Sequence, residues 1–481
     1  MAYSKTPVVQ TYETKRVNFI ANPQQRGTSG NKDFRLINMM VDIVSSPVGD
    51  QKKYYIKSRP GMTSSYSTNT AVGRGMYNWV VSGTSYIMSV SGSKVYYNGT
   101  LVLTLSTSTG QVGFTEFVSS TGVVTLVLLD GTNGYVFTAP GTYTQITDPD
   151  FPTPHIPHPV FLDGYLFIAK SGTQDIYNSN LDDPALWTSG EFISAEMYPD
   201  KIVALSKNNN YIYAIGSNSV EYFYDAANAT GSPLSRHASA VQQFGAVAPA
   251  SVLQTEKEVI FIGETGNGGH TVWTIDGFKE KEIGIPAIKS ALLAEGSNLS
   301  SATAFCVRVS GQKCYVICLT TRTLVYSFAT EMWHEWQTGT NIFTGNFGTD
   351  GPNGSAYILD KSTGAIYLMD ETKFTDAGTA ITCTAISAKL DFDNMNRKFM
   401  HRLTLVGDVP DDTYVNSTVN VSWSDDDYKT FSTPVPLLFN GDLPAIFRLG
   451  QFRRRAIKLT YALPHLLRLE GIEVDINKGG N

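Results

Sequence analysis

Residues 210–225 read NYIYAIGSNSVEYFYD, two short aromatic and aliphatic runs on either side of four small polar residues. In an extended strand Tyr211, Tyr213 and Ile215 share one face, and Ile212 and Ala214 share the other. Neither face is polar, so the strand belongs in a sheet that is covered on both sides. Gly216, Ser217, Asn218 and Ser219 supply the chemistry of a tight return, and the stretch is predicted to be a hairpin inside a layered all-β protein.

Relatives of this stretch recur along the chain. They are SYIMSVSGSKVYYNG from 85, VVTLVLLDGTNGYVFT from 123, GYLFIAKSGTQDIYNS from 164, EVIFIGETGNGGHTVWTIDG from 258, KCYVICLTTRTLVYSF from 313 and SAYILDKSTGAIYLMD from 355. With the first they make seven copies, whose starts lie 38 to 55 residues apart. Weaker strand patterns between them, such as TLVLTL at 100, KIVALS at 201 and ATAFCVRV at 302, bring each unit to about four strands. About four strands at a period near 45 residues is the signature of a β-propeller blade, and seven blades are expected.

The flanks differ. Residues 1–34 end in NPQQRGTSGNKD, polar with little to bury, and are expected to form an extended arm, free or laid on a neighbour. The propeller is expected over 35–375, with an outer strand from 35–60 closing the first or last blade, because an unclosed seam is an exposed edge. Longer strand patterns over 376–481, among them FMHRLTLVGD and LRLEGIEVDI, predict a separate C-terminal β-sandwich. DPDFPTPHIPHP, at 148–159, carries five prolines and reads as a stiff connector between blades. IPAIKSALLAEG, from 285, predicts a short helix opened by Pro286 and closed by Gly296.

Composition narrows the function classes. The 42 glycines, 25 tyrosines and 24 phenylalanines, with 17% charged residues, suit many short strands. A formal charge of -6 argues against attraction to nucleic acid over the whole surface. Four cysteines, at 306, 314, 318 and 383, lack disulfide spacing and read as buried thiols. Neither a signal-like N-terminus nor an apolar run of spanning length occurs, so a soluble product made in a reducing cytoplasm is expected, with no membrane insertion.

Catalytic signatures are missing: no phosphate loop, no nucleophile elbow and no H-E-x-x-H pair. His334 and Glu335 in EMWHEW lack a second histidine and read as a packed aromatic strand. The acidic runs Asp148 with Asp150, Asp391 with Asp393, and Asp425–Asp427 lack the glycine and terminal glutamate of a calcium loop. No catalytic, cofactor or metal residue is nominated, and the chain is expected not to be an enzyme. SDDDYKTF, from Ser424 to Phe431, fits the S-x-D-x-G-x-T-W turn called an Asp box, a folding device, except at Tyr428 and Phe431. Arg453, Arg454 and Arg455 form a basic cluster with two readings: a solvated edge of salt bridges, or a subunit interface, for which a planar guanidinium is well suited. In a regular strand Arg453 and Arg455 would face one way and Arg454 the other.

Several phrases occur in order: RLINMMVD at 35, IKSRPGM at 56, GRGMYN at 73, GSNSVEYFYDAANATGSP at 216, SWSDDDYKTF at 422 and FRRRAIKLTY at 452. This succession resembles the tail-hub proteins of short-tailed bacteriophages, also called nozzle or packaged-DNA stabilisation proteins, from about residue 35 to the end. The resemblance implies a structural virion protein made in the host bacterial cytoplasm. It implies a homohexameric ring below the portal and its adaptor that continues the DNA channel, retains packaged DNA until ejection and carries a needle or tailspikes. Double-stranded DNA would pass without specific binding, and six chains would give a ring charge of about -36, which discourages sticking. The alternative is a carbohydrate-active propeller, a sialidase-like hydrolase or a lectin, since fold alone does not separate them. A hydrolase would need paired acids near the axis, and Asp175, Glu221 and Arg322 are the side chains to watch. A cellular repeat scaffold is a third class.

Overall fold

A computed structural model describes residues 12–19, 35–45, 52–264, 268–408, 417–439 and 444–478. The chain divides into two compact units: 62–329 with 341–371, and 1–61 with 330–340 and 372–481. The first unit is a β-propeller. Its blades are antiparallel, and the opening hairpin shows why they form. Tyr211–Gly216 pairs with Val220–Asp225, within a blade ordered Ile202–Asn208, Tyr211–Gly216, Val220–Asp225 and Leu234–Gln242. Tyr213, Ile215 and Tyr222 pack in one core cluster with Val259, Phe261 and Ile275 of the following blade. Ile212, Ala214 and Phe223 pack in another with Val160, Phe167 and Ile176 of the preceding blade. The doubly apolar pattern is thus satisfied by a different neighbour on each face.

Where the hairpin count predicts seven blades, six four-stranded blades form. Five are separate sheets that follow one another from Gly73–Val81 to Lys279–Glu282. The sixth combines Gly345–Asp350, Ala356–Asp360 and Ile366–Asp370 with Gly61–Tyr66. The remaining repeat supplies three strands, Thr303–Val309, Gln312–Cys318 and Thr323–Ser327. It does not stand as a separate four-stranded sheet, because its sheet does not end at a fourth strand: it runs on through Met332–Thr338, which is parallel to Arg35–Ile37. The seam strand Gly61–Tyr66 lies just after the expected 35–60. Its Tyr66 ring stacks on Tyr357 at 6.2 Å. The inserted helix is Pro286–Ala294, and Gly296 follows with φ +55°.

The second unit holds two sets of strands. One runs Met39–Ser45, Lys52–Ser58, Arg468–Lys478, Lys398–Gly407 and Ala445–Phe447. The other runs Met332–Thr338, Arg35–Ile37, Cys383–Ile386, Ala456–Tyr461, Thr418–Ser424 and Val435–Leu438. Ile56, Leu403 and Val474 of the first share one core with Val421, Ile457 and Leu459 of the second. The unit therefore reaches beyond 376–481: Arg35–Ile37 and Lys52–Ser58, within the 35–60 expected with the propeller, pair with C-terminal strands. Of the expected arm, Glu13–Val17 lies antiparallel on Arg468–Lys478 of its own chain and Phe19 is buried. Residues 1–11 and 20–34 lie outside the described residues.

Candidate functional site

The arginine run at 453–455 is split by the backbone. The strand Gln451–Phe452 ends, residues 453 and 454 form a bend, and pairing resumes with the bridge from Arg455 to Leu390. The bend breaks the alternation expected of a strand, so Arg453 and Arg454 are both exposed while Arg455 turns inward, 1% exposed. Arg455 grips Asp425 with two bonds, Nε to Oδ1 at 2.8 Å and Nη2 to Oδ2 at 2.7 Å, and donates to the Leu449 carbonyl at 2.9 Å. Its guanidinium lies 4.5 Å from the Phe452 ring centre and 5.6 Å from that of Trp423. A side chain so enclosed is a core strut, and Arg455 is removed from the candidate interface. Arg453 donates to the Met395 carbonyl at 2.7 Å, which joins it to the loop that leads through Arg397 into the strand Lys398–Gly407.

The neighbouring acidic run is consumed by folding. Asp425 holds Arg455, and Asp427 pairs with Lys389. Asp426 accepts from the Thr430 amide at 2.9 Å, the Thr430 hydroxyl at 2.5 Å and Ser424 Oγ at 2.8 Å. Those bonds, the Thr430 hydroxyl foremost, hold its carboxyl down at about 2. This is the Asp-box turn. Tyr428, at the usual glycine position, has φ +64°, and its hydroxyl donates to the Ser387 carbonyl at 3.0 Å.

In the propeller unit, the inner strands line a cavity of about 760 Å³. Tyr77 stacks on Phe114, ring centres 5.9 Å apart, and its hydroxyl meets Glu116. Burial pushes both upward, Tyr77 above the ordinary tyrosine range and Glu116 above the ordinary carboxylate, although the Tyr77 bond opposes the rise of Glu116. Lys207 donates to the Phe161 carbonyl at 2.7 Å and is lowered by burial. Burial also lowers His158 to about 4, so it is neutral at pH 7. Glu256 pairs with Arg308 at 2.7 Å.

The side chains that a hydrolase would use are elsewhere. None of Asp175, Glu221 and Arg322 lines the cavity. Asp175 accepts from Ser194 Oγ at 2.6 Å. Glu221 accepts from the Met197 amide and pairs with Arg236, each at 2.9 Å. His334 is buried and lowered to about 3, and Glu335 forms an ion pair with Arg35 at 2.6 Å. Among the described residues no group of three His, Cys, Asp or Glu is arranged to hold a metal ion, and no helix is long and apolar enough to cross a membrane.

The family model for the bacteriophage P22 Gp10 β-propeller matches residues 25–373. The chain belongs to this family of phage tail-hub stabilisation proteins. Three solved structures are similar to it in fold. A streptogramin B lyase is 12% identical, with a TM-score of 0.38, covering 69% of this chain and 98% of its own. The extracellular domain of a one-component system from B. thetaiotaomicron is 11% identical, with a TM-score of 0.43, covering 68% and 46%. An inactive virginiamycin B lyase from Staphylococcus aureus is 10% identical, with a TM-score of 0.41, covering 69% and 99%. None of these likenesses bears on activity, and no curated protein sequence matches the chain.

Within this member of the family, two arginines of the motif phrases turn out to be structural. Arg59 of RPGM is fully buried. It meets Asp376 twice, at 3.0 and 2.5 Å, Asn38 Oδ1 at 2.9 Å and the Gln337 carbonyl at 2.8 Å. One side chain thereby ties together three segments that are distant in sequence. Arg74 of GRGM, 2% exposed, donates to the carbonyls of Gly92, Thr107, Thr109 and Gly110 at 2.6 to 3.0 Å. In SNSVEYFY the turn is held by Asp200, which accepts from the Asn218 amide at 2.7 Å and Ser219 Oγ at 2.8 Å. Sequence alone marks these residues as motif members but does not reveal their contacts, because every acceptor of Arg74 is a main-chain or hydroxyl oxygen with no signature of its own.

Proposed function

We propose that this chain is a non-enzymatic nozzle subunit of a short-tailed phage virion. Six copies form a ring below the portal and its adaptor, continue the DNA channel, retain the packaged genome and carry a needle or tailspikes. The observation that carries the reading is the Gp10 family match over most of the propeller. Membership in a structural phage family supports a location in the virion tail. A second support is the fate of the polar residues: the motif arginines and the acidic run hold loops together, and the candidate hydrolase acids are taken up by structural partners, Glu221 by the Met197 amide and Arg236 and Asp175 by the Ser194 hydroxyl. We read the two sheets that share a core in the second unit as a β-sandwich, which gives the ring a second body besides the rigid propeller.

The test is genetic and physical together. Phage in which the chain is not made are expected to fill heads and then lose their DNA, with tails that lack needle or spikes. Particles that keep their genome and infect normally without the chain would contradict the proposal.

A further inference from the structure

The second unit segregates its arginines in a way that the fold does not require. Among the described residues, Arg16, Arg35, Arg59, Arg402, Arg455 and Arg468 are each ion-paired with a carboxylate. Arg397, Arg448, Arg453 and Arg454 are exposed and take part in no ion pair among the described residues. Arg454 borders a cavity of about 100 Å³ shared with Asp425–Asp427. The other three flank three strand ends: Arg397 precedes Lys398–Gly407, and Arg448 and Arg453 follow Ala445–Phe447 and Gln451–Phe452, both of which pair with Lys398–Gly407. Phe399 lies opposite Gln451, Phe447 opposite Arg402, the Arg448 amide donates to the His401 carbonyl at 2.8 Å, and Arg453 reaches Met395. Beside them Phe447 is 67% exposed and Phe399 39%. On the same loop Asp391 Oδ1 accepts from the Asp393 amide at 3.1 Å. Exposed arginines interleaved with exposed aromatics are the composition of an interface core, not of an ordinary solvated face.

The occupant follows from charge. The propeller unit holds 14 Lys+Arg against 24 Asp+Glu, a formal charge of -10, and the other unit holds 23 against 19, a formal charge of +4. A ring of identical subunits needs two different, complementary patches on each chain. We propose that the patch of Arg397, Phe399, Phe447, Arg448 and Arg453 docks on the acidic propeller of a second copy, head to tail. The proposal rests on the ring reading above and names the surfaces that build the ring. Electrostatic complementarity sets the register of such a contact and makes its formation depend on salt.

The full-length protein and an Arg448→Glu, Arg453→Glu double variant are compared by native mass spectrometry and sedimentation, at low salt and at about 1 M, where the Debye length is roughly 3 Å. The expected result is a salt-sensitive multimer for the wild type and assembly at least tenfold weaker for the double variant, with an unchanged thermal midpoint. Phe447→Ser, which keeps the charges, is expected to weaken assembly as well. In an Arg453→Lys variant, carbodiimide is expected to join position 453 to an Asp or Glu between 62 and 371 of an isotopically distinct copy. If the wild type never assembles, the ring reading fails and this inference with it. If the double variant assembles like the wild type, the patch is overturned while the ring stands. Cross-links confined to the second unit overturn the propeller as occupant. Loss of duplex-DNA binding with assembly intact makes the patch a nucleic-acid surface and overturns the proposal.

Discussion

Arg59 carries a full charge into a place with no exposed surface, and Asp376, 4% exposed, is its counter-charge. Removing one member of such a pair leaves the other ionised and unsolvated, which costs about 3–5 kcal/mol. Arg59→Leu is therefore expected to lower the denaturant midpoint of the chain severely. Combining it with Asp376→Asn should recover part of the loss, and a single variant as stable as the wild type would contradict the strut role. Asp426 makes a pH-dependent contribution of opposite visibility, being exposed. Its folded value, about 2, lies below its ordinary 3.8, so it stabilises the fold above about pH 4 and the contribution is lost as pH falls towards 2. Thr430→Val removes the hydroxyl bond that lowers it most. The Asp426 carboxyl is then expected to titrate nearer its ordinary value in an NMR pH series, and an unchanged curve would argue against the turn. The Asp-box pattern was legible from residue types even with Tyr428 at the glycine position. The inward turn of Arg455 was not, because it follows from a two-residue bend that no residue type announces.

Blade geometry depends on close approach between inner strands. Gly113 opens Gly113–Val118, and a Cβ there would overlap the Pro157 carbonyl of the proline-rich connector. Gly113→Ala is predicted to destabilise the propeller by about 1–3 kcal/mol, the usual cost of overpacking. The check is the thermal midpoint beside that of Gly172→Ala, whose Cβ meets nothing within 4 Å but whose φ of +78° carries its own strain. If the two fall equally, crowding at the connector is not the cause. Hairpins were legible because both strands and their turn are local and each face follows the period of two. Pairings such as Arg35–Ile37 with Cys383–Ile386 join strands about 350 residues apart in the chain. No local pattern encodes such a partner, so a discontinuous second unit read from the sequence as a contiguous domain at 376–481.

Across the whole molecule, the overall charge of -6 conceals an acidic propeller of -10 and a basic second unit of +4. The average points to a uniformly repellent ring, whereas the division by unit gives the proposed head-to-tail contact opposite charges on its two sides. The candidate interface was partly legible: Arg453 stood out in the run 453–455, but Arg397, Phe399, Phe447 and Arg448 join it only through strand pairing. The central claim is that this propeller acts by assembling and not by reacting. Negative-stain imaging of the purified chain, with its mass measured in the same buffer, tests that most directly. The account predicts closed rings of six copies, and a stable monomer at high concentration, alone and with the portal adaptor, would contradict it.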